Sequence, residues 1–112
     1  MLEKMTRLCN ELQIHIEPMP QPVPNINGLA LRGKTDGRVI LYDDRLSHNH
    51  KIQVIAHELA HHVLGHLEES NRKYLDLTNR NPKFEQKIEL EADIFATVFS
   101  AIVYAGKVAA YE

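Results

Sequence analysis

Apolar and polar positions repeat with two different periods along the chain. Apolar residues recur three and four positions apart over 2–13, 47–64 and 82–106, which predicts three amphipathic helices. Residues 29–32 are instead predicted as a short strand and residues 38–42 as a strand rich in β-forming side chains, with a segment that contains glycine between them. That arrangement predicts an antiparallel hairpin lying between the first and second helices.

Local signals refine these boundaries. Residues 14–17 follow the first helix as a short strand, and four prolines between 18 and 24 predict a loop. Ser47 or Asn49 caps the second helix, and Gly65 is a suitable stop. Asn81 and Pro82 start the third helix, after a mostly polar stretch that is a loop or a loop with a short helix. The apolar stripe of the third helix comprises Phe84, Ile88, Ala92, Phe95, Phe99 and Ile102.

Size and composition narrow the class of protein. A chain of 112 residues predicts a single domain over 1–112, and the elements above make it α+β. The formal net charge of −2 supplies no basic field, so we expect no direct binding of nucleic acid. Cys9 is the only cysteine and is interpreted as a small apolar helix residue. No signal peptide or membrane-spanning run is recognisable, which predicts a cytoplasmic protein without a membrane partner.

The second predicted helix carries the sequence His57-Glu58-Leu59-Ala60-His61. Residues four apart on a helix differ by about 40° around its axis, so both imidazoles project from one face. Two such nitrogens suit two corners of a tetrahedral zinc ion, and Glu58 can act as a general base beside it. Chance occurrence of so short a pattern is the alternative, but the apolar flanks indicate a central helix on which the spacing has meaning.

A third ligand is available on the third helix. Glu89 and Asp93 are four residues apart and share a face, whereas Glu91 points about 160° away from Glu89. Glu89 can therefore complete a site of two histidines and one glutamate. Asp93 is a candidate to accept the second ring N–H of a ligating histidine. The alternative interpretation is a solvated acidic face; we favour the ligand role.

The sequence predicts the positions and roles of the remaining histidines less specifically. His62 and His66 are predicted to face away from the first pair, as a solvated or structural face or an adventitious second metal pair. His48 and His50 are expected to be exposed, and His15 receives no role. If the strand at 38–42 lies at a sheet edge, it could pair with an extended substrate. Candidate donors to a reaction oxyanion are Tyr42, Tyr74, Tyr104 and His66.

These motifs together resemble a known family. Residues 55–66, with the sequence IAHELAHHVLGH, and residues 89–96, with the sequence ELEADIFA, resemble the ImmA/IrrE-type metallopeptidases. The resemblance implies a gluzincin-like fold in which a small sheet packs on the metal helix and the glutamate helix. It also implies zinc held by His57, His61 and Glu89, with Glu58 catalytic.

The resemblance further implies a zinc metalloendopeptidase acting on a protein, with helix-turn-helix repressors as candidate substrates. Several members are encoded by phages or mobile elements, and this chain resembles a short one. It departs from the family pattern after Ala96 and ends at Glu112, so we expect little C-terminal substrate-holding structure. Two other hypotheses therefore stay open: a metal-stabilised regulatory module that captures a repressor without cleaving it, and a structural helical domain with coincidental histidines.

Overall fold

The structure is a computed structural model that describes residues 2–33, 37–68 and 82–109, with side chains in the last helix as far as residue 102. The described residues form three helices and three strands, which confirms the predicted α+β class. In chain order the elements are α1 (Leu2–Glu11), β1 (Ile14–Pro18), β2 (Gly28–Arg32), β3 (Arg38–Tyr42), α2 (His48–Val63) and α3 (Pro82–Ala109).

The sheet is mixed and has the strand order β1-β3-β2. β2 and β3 form the predicted antiparallel hairpin, with Gly28 opposite Tyr42 and Arg32 opposite Arg38. β1 adds to the other side of β3 in the parallel direction. The expectation that residues 38–42 could serve as an edge strand is therefore wrong, because both sides of β3 are already paired. β1 and β2 hold the two edge positions instead.

The core lies between α2, α1 and the sheet. Its largest fully buried side chains are Met5, Ile14, Ile40, Ile55, Leu59 and Cys9. Burial raises the pKa of the Cys9 thiol to about 11, so this cysteine is the packing residue that its helical position predicted. α2 contacts α1, α3, β2 and β3, which makes it the central element of the fold.

The two ends of α2 are fixed by local chemistry. The Ser47 side chain accepts a hydrogen bond from the His50 backbone N–H at 3.3 Å, so Ser47 rather than Asn49 is the N-cap. At the other end the N–H of Gly65 donates to the His62 carbonyl and that of His66 donates to the His61 carbonyl. This pair of bonds is a Schellman motif, and it requires the left-handed backbone that Gly65 adopts at φ 74°.

The third helix begins at the predicted Pro82 and extends past the predicted end near residue 106. Ile88 and Ala92 are buried, and Phe95 and Phe99 pack against the core, as their spacing predicts. Ile102 is 64% exposed, however, so its place in the buried stripe is wrong. The predicted cap Asn81 and residues 69–80 of the polar stretch before it fall outside the described residues. Within the described ranges no helix combines the length and apolar character needed to cross a bilayer.

Candidate metal centre

Three candidate donors from two helices meet at one point. His57 and His61 project from α2, and the Glu89 carboxylate of α3 reaches both of them. Glu89 Oε2 lies 2.9 Å from His57 Nε2, and Glu89 Oε1 lies 3.2 Å from His61 Nε2. Both imidazoles thus turn the same ring nitrogen toward the same carboxylate.

The donor set fits a metal ion in both size and chemistry. One ligand atom from each of His57, His61 and Glu89 lies within 4.8 Å of the other two. Bonds of about 2.0–2.2 Å in a tetrahedral zinc site hold neighbouring donors roughly 3.3 Å apart. The observed separations of Glu89 from the two imidazoles are close to that value, and two histidines with one carboxylate form a set that zinc accepts.

His61 is more deeply buried than His57. The His61 side chain is only 10% exposed, against 22% for His57. Burial, followed by the neighbouring His57 and His66 rings, lowers the pKa of His61 to about 4. His61 is therefore neutral at physiological pH, which is the form that binds a metal.

Glu58 is buried beside this cluster and faces the same groove. Its burial raises the pKa of the carboxyl to about 7, with the Glu89 charge acting in the same direction and His57 opposing it. Gly28 makes room for this side chain, because a Cβ at that position would lie 2.4 Å from Val54 Cγ1 and 3.1 Å from Glu58 Cγ. Only glycine therefore lets β2 start so close to α2.

Each histidine of the cluster has a second partner on its Nδ1 side. His57 Nδ1 donates to the Asp93 carboxylate at 2.8 Å, which places Asp93 where the sequence analysis expected it. His61 Nδ1 faces His66 Nδ1 at 2.9 Å, and His66 Nε2 donates to Glu91 at 2.8 Å.

The expectation for His62 and His66 needs correction. Both side chains are buried, so neither belongs to a solvated face. His62 does point away from the cluster, and its Nε2–H donates to the Val39 carbonyl at 3.0 Å. His66 contacts the cluster, because the left-handed turn at Gly65 ends the helix and folds the chain back over His61. The helical extrapolation that predicted an outward His66 failed at that residue.

The structure supports neither of the two candidate oxyanion donors whose side chains it describes, Tyr42 and His66. Tyr42 packs against the hydrophobic core instead of lining the groove. Both ring nitrogens of His66 already have partners within the protein. The side chains of Tyr74 and Tyr104 fall outside the described residues.

An open groove of about 1010 Å³ lies over the cluster. One wall is the edge strand β2 with the loop before it, and the other is formed by α2 and α3. The groove therefore gives access to three candidate metal donors and a buried carboxylate, a set of groups suited to metal-assisted hydrolysis.

These features define a class of protein: a small α+β domain with the donor set of a metal-dependent hydrolase. A family model described as the IrrE N-terminal-like domain, of the Peptidase_M78 family, matches residues 9–104. The chain belongs to that family, which confirms the resemblance stated above. Membership suggests metallopeptidase activity, and the family is typically metal-dependent. Comparisons with curated proteins and with solved structures returned no match.

Sequence reasoning missed two features of this site. The pairing of His66 and Glu91 was hidden because helical spacing was carried past Gly65, although glycine itself was recognised as a stop. The role of Gly28 was hidden because the close approach of β2 to α2 depends on tertiary packing and leaves no local signal. The site roles assigned from the sequence stay predictions, although the geometry suits them. They are the ligand roles of His57, His61 and Glu89, the base role of Glu58 and the supporting role of Asp93.

Proposed function

We propose that this protein is a zinc-dependent endopeptidase that cleaves a protein substrate. The observation that carries the proposal is the convergence of His57, His61 and Glu89 at the base of an open groove, next to the buried Glu58. A site built only for structural zinc is closed by four protein ligands, whereas a catalytic site retains an open position. Three donors facing a groove match the second description.

The chemistry divides between the ion and the chain. Zinc held by the three donors would polarise the scissile carbonyl and make a water molecule more acidic. Glu58 accepts a proton from the attacking water and delivers it to the leaving amine as the carbon–nitrogen bond breaks. Asp93 holds the His57 ring with Nε2 directed at the metal position.

The sheet edge suggests how a substrate is held. Among the described residues β2 pairs only with β3, and Gly28, Leu29 and Ala30 of β2 line the groove. An extended peptide can add to such an edge through backbone hydrogen bonds, which fixes its carbonyls relative to the donors. We therefore propose a substrate that presents an extended segment, and a helix-turn-helix repressor cut in an exposed linker is our candidate.

Metal content is the first test. Elemental analysis of the purified protein should give one zinc per chain, and His57→Ala or Glu89→Ala should abolish it. The ligand types favour zinc, but affinity alone does not fix the identity of the metal. The binding of manganese and of cobalt to the metal-free protein should therefore be measured in parallel. A protein that contains no metal and is unaffected by either substitution would contradict the proposal.

Catalysis is tested separately with Glu58→Gln. This variant should retain zinc but lose cleavage by about 10²–10⁴-fold, the usual contribution of a general acid–base group. The assay is the incubation of the protein with a candidate helix-turn-helix repressor, followed by gel electrophoresis. Fragments that form with the wild type and not with Glu58→Gln support the peptidase. A stable zinc-loaded complex without fragments would support the regulatory binding module instead.

A further inference from the structure

The two histidines of the metal centre are held by different kinds of partner. His57 Nδ1 meets a carboxylate, Asp93, which can only accept a hydrogen bond. His61 Nδ1 meets another imidazole nitrogen, Nδ1 of His66, at 2.9 Å. Either ring nitrogen in that second pair could be the donor, so the direction of the bond depends on a further group.

Glu91 supplies the direction. Its Oε2 lies 2.8 Å from His66 Nε2, and an ionised carboxylate accepts but does not donate. His66 Nε2 therefore carries a proton, and in a ring with a single proton Nδ1 is then the acceptor. The His61 Nδ1–H then donates to it, and the lone pair of His61 is directed from Nε2 toward the metal position.

Burial and backbone geometry fix this arrangement. The His66 side chain is 4% exposed, so water does not compete for its ring nitrogens. The His66 backbone N–H also donates to the His61 carbonyl at 3.0 Å, which attaches the two residues to the same helix end. Glu91 is anchored on α3 two residues beyond Glu89, so both helices contribute to the chain of bonds.

We propose that His66, oriented by Glu91, is a positioning residue that holds His61 in the tautomer whose Nε2 binds the metal. The inference rests on the proposed function, because it concerns the same metal centre. It assigns His61 an outer partner equivalent to Asp93 on His57. Outer partners of this kind contribute roughly 10–100-fold to metal affinity.

A matched pair of substitutions at residue 66 provides the test. His66→Leu fills much of the space but offers no acceptor, whereas the side-chain oxygen of His66→Asn can accept from His61 Nδ1–H. Zinc affinity is measured by competition with a chromogenic chelator. We expect His66→Leu to bind zinc roughly 10–100-fold more weakly and His66→Asn to recover most of that loss.

Glu91→Ala tests the orienting group at a partly exposed position where folding is not at risk. We expect roughly a 10-fold loss of zinc affinity, at the low end of outer-partner effects. Glu11→Ala, which removes an exposed acid on α1, is the matched control and should leave zinc affinity unchanged. Long-range ¹H–¹⁵N spectra of the zinc-loaded protein should show the His61 proton on Nδ1, independently of any activity.

The outcomes separate this inference from the proposed function. A wild-type protein that binds zinc tightly, with Glu91→Ala and His66→Leu unchanged in affinity, would overturn the positioning role and leave the peptidase intact. Equal losses in His66→Leu and His66→Asn would also overturn it, since the acceptor would then not matter. If His66→Leu fails to fold, Glu91→Ala and His66→Asn decide the question. A wild type without zinc would overturn both proposals.

Discussion

Helices α2 and α3 contribute to the same candidate metal centre from different environments. The donors on α2 are largely buried, with 22% of the His57 side chain and 10% of the His61 side chain exposed. On α3, 55% of the Glu89 side chain and 69% of the Asp93 side chain are exposed. Residues on α2 must therefore satisfy packing and chemistry together, whereas the acids of α3 are constrained by chemistry alone. Substitutions should separate stability from metal binding on α3 and combine them on α2.

The largest expected difference between the effect on metal binding and the effect on stability is at Glu89. Glu89→Ala removes a ligand and should weaken zinc binding by more than about 100-fold, beyond the effect of an outer partner. The stability of the metal-free protein should change by no more than about 1 kcal/mol, because ion pairs of a largely exposed carboxylate contribute little. Chelator competition and urea unfolding in excess chelator measure the two quantities. Gln86→Ala, also exposed on α3, is the control, and a metal-free Glu89→Ala protein that is unfolded would contradict the contrast.

Two leucines, one on each helix, allow the same comparison for side-chain packing. Leu59 on α2 is 1% exposed and Leu90 on α3 is 61% exposed. Leu59→Ala should cost about 2–5 kcal/mol of unfolding free energy through lost burial and a cavity. Leu90→Ala should cost no more than about 0.5 kcal/mol. Urea unfolding of both variants is the measurement, and equal losses would show that α3 buries its outer face in solution.

A smaller effect is expected where β2 approaches α2. The methyl group of Gly28→Ala would meet Val54 at 2.4 Å, so one element must shift. Overpacking of this kind costs about 1–3 kcal/mol, and here it also displaces the buried Glu58. Gly33→Ala is the matched control, since its nearest neighbours would lie at 3.6 Å or more. Thermal unfolding and peptidase assays compare the two, and a Gly28→Ala protein as stable as Gly33→Ala would refute the close approach.

The subtlest effect concerns the entry to α2. Hydrogen bonds from the Arg45 side chain and backbone lower the pKa of Asp43 to about 2, and this carboxylate is buried. A carboxyl group whose pKa is lowered by folding stabilises the protein above its unfolded pKa of about 4. That contribution is lost as the pH falls toward 2. Asp43→Asn should therefore destabilise the protein near pH 6 and approach the wild type at low pH.

Urea unfolding of the wild type and Asp43→Asn between pH 6 and pH 3 follows that difference. The gap between their unfolding free energies should stay level down to about pH 5 and narrow below about pH 4, where the unfolded chain begins to take up the proton. A constant gap would mean that the substitution acts through packing and not through the charge.

The fold was predictable where local patterns were complete. The helix bounds at Ser47 and Pro82 follow from capping residues, and the hairpin follows from two short predicted strands joined through glycines. The strand order did not follow, because β1 joins β3 in parallel through pairs far apart in sequence. No local signal distinguishes a central strand from an edge strand when both are only half-buried.

The candidate site shows the same division. Spacing alone placed His57 with His61 on one face of a helix, and Glu89 with Asp93 on one face of another, because a helix fixes angles between residues four apart. Glu89 and Asp93 were harder to separate from an ordinary acidic face, since exposed acids are common on helices. Their assignment depended on a partner elsewhere in the chain.

The sequence by itself determined the contents of this centre: two imidazoles, a candidate base and a pair of acids at fixed helical angles. Tertiary structure decided which of these groups meet. The packing of α3 against α2 brings Glu89 to both imidazoles, and the left-handed turn at Gly65 converts His66 from an outward residue into a partner of His61. The reason is physical: helical periodicity specifies directions within one element, whereas distances between elements depend on how the whole core packs.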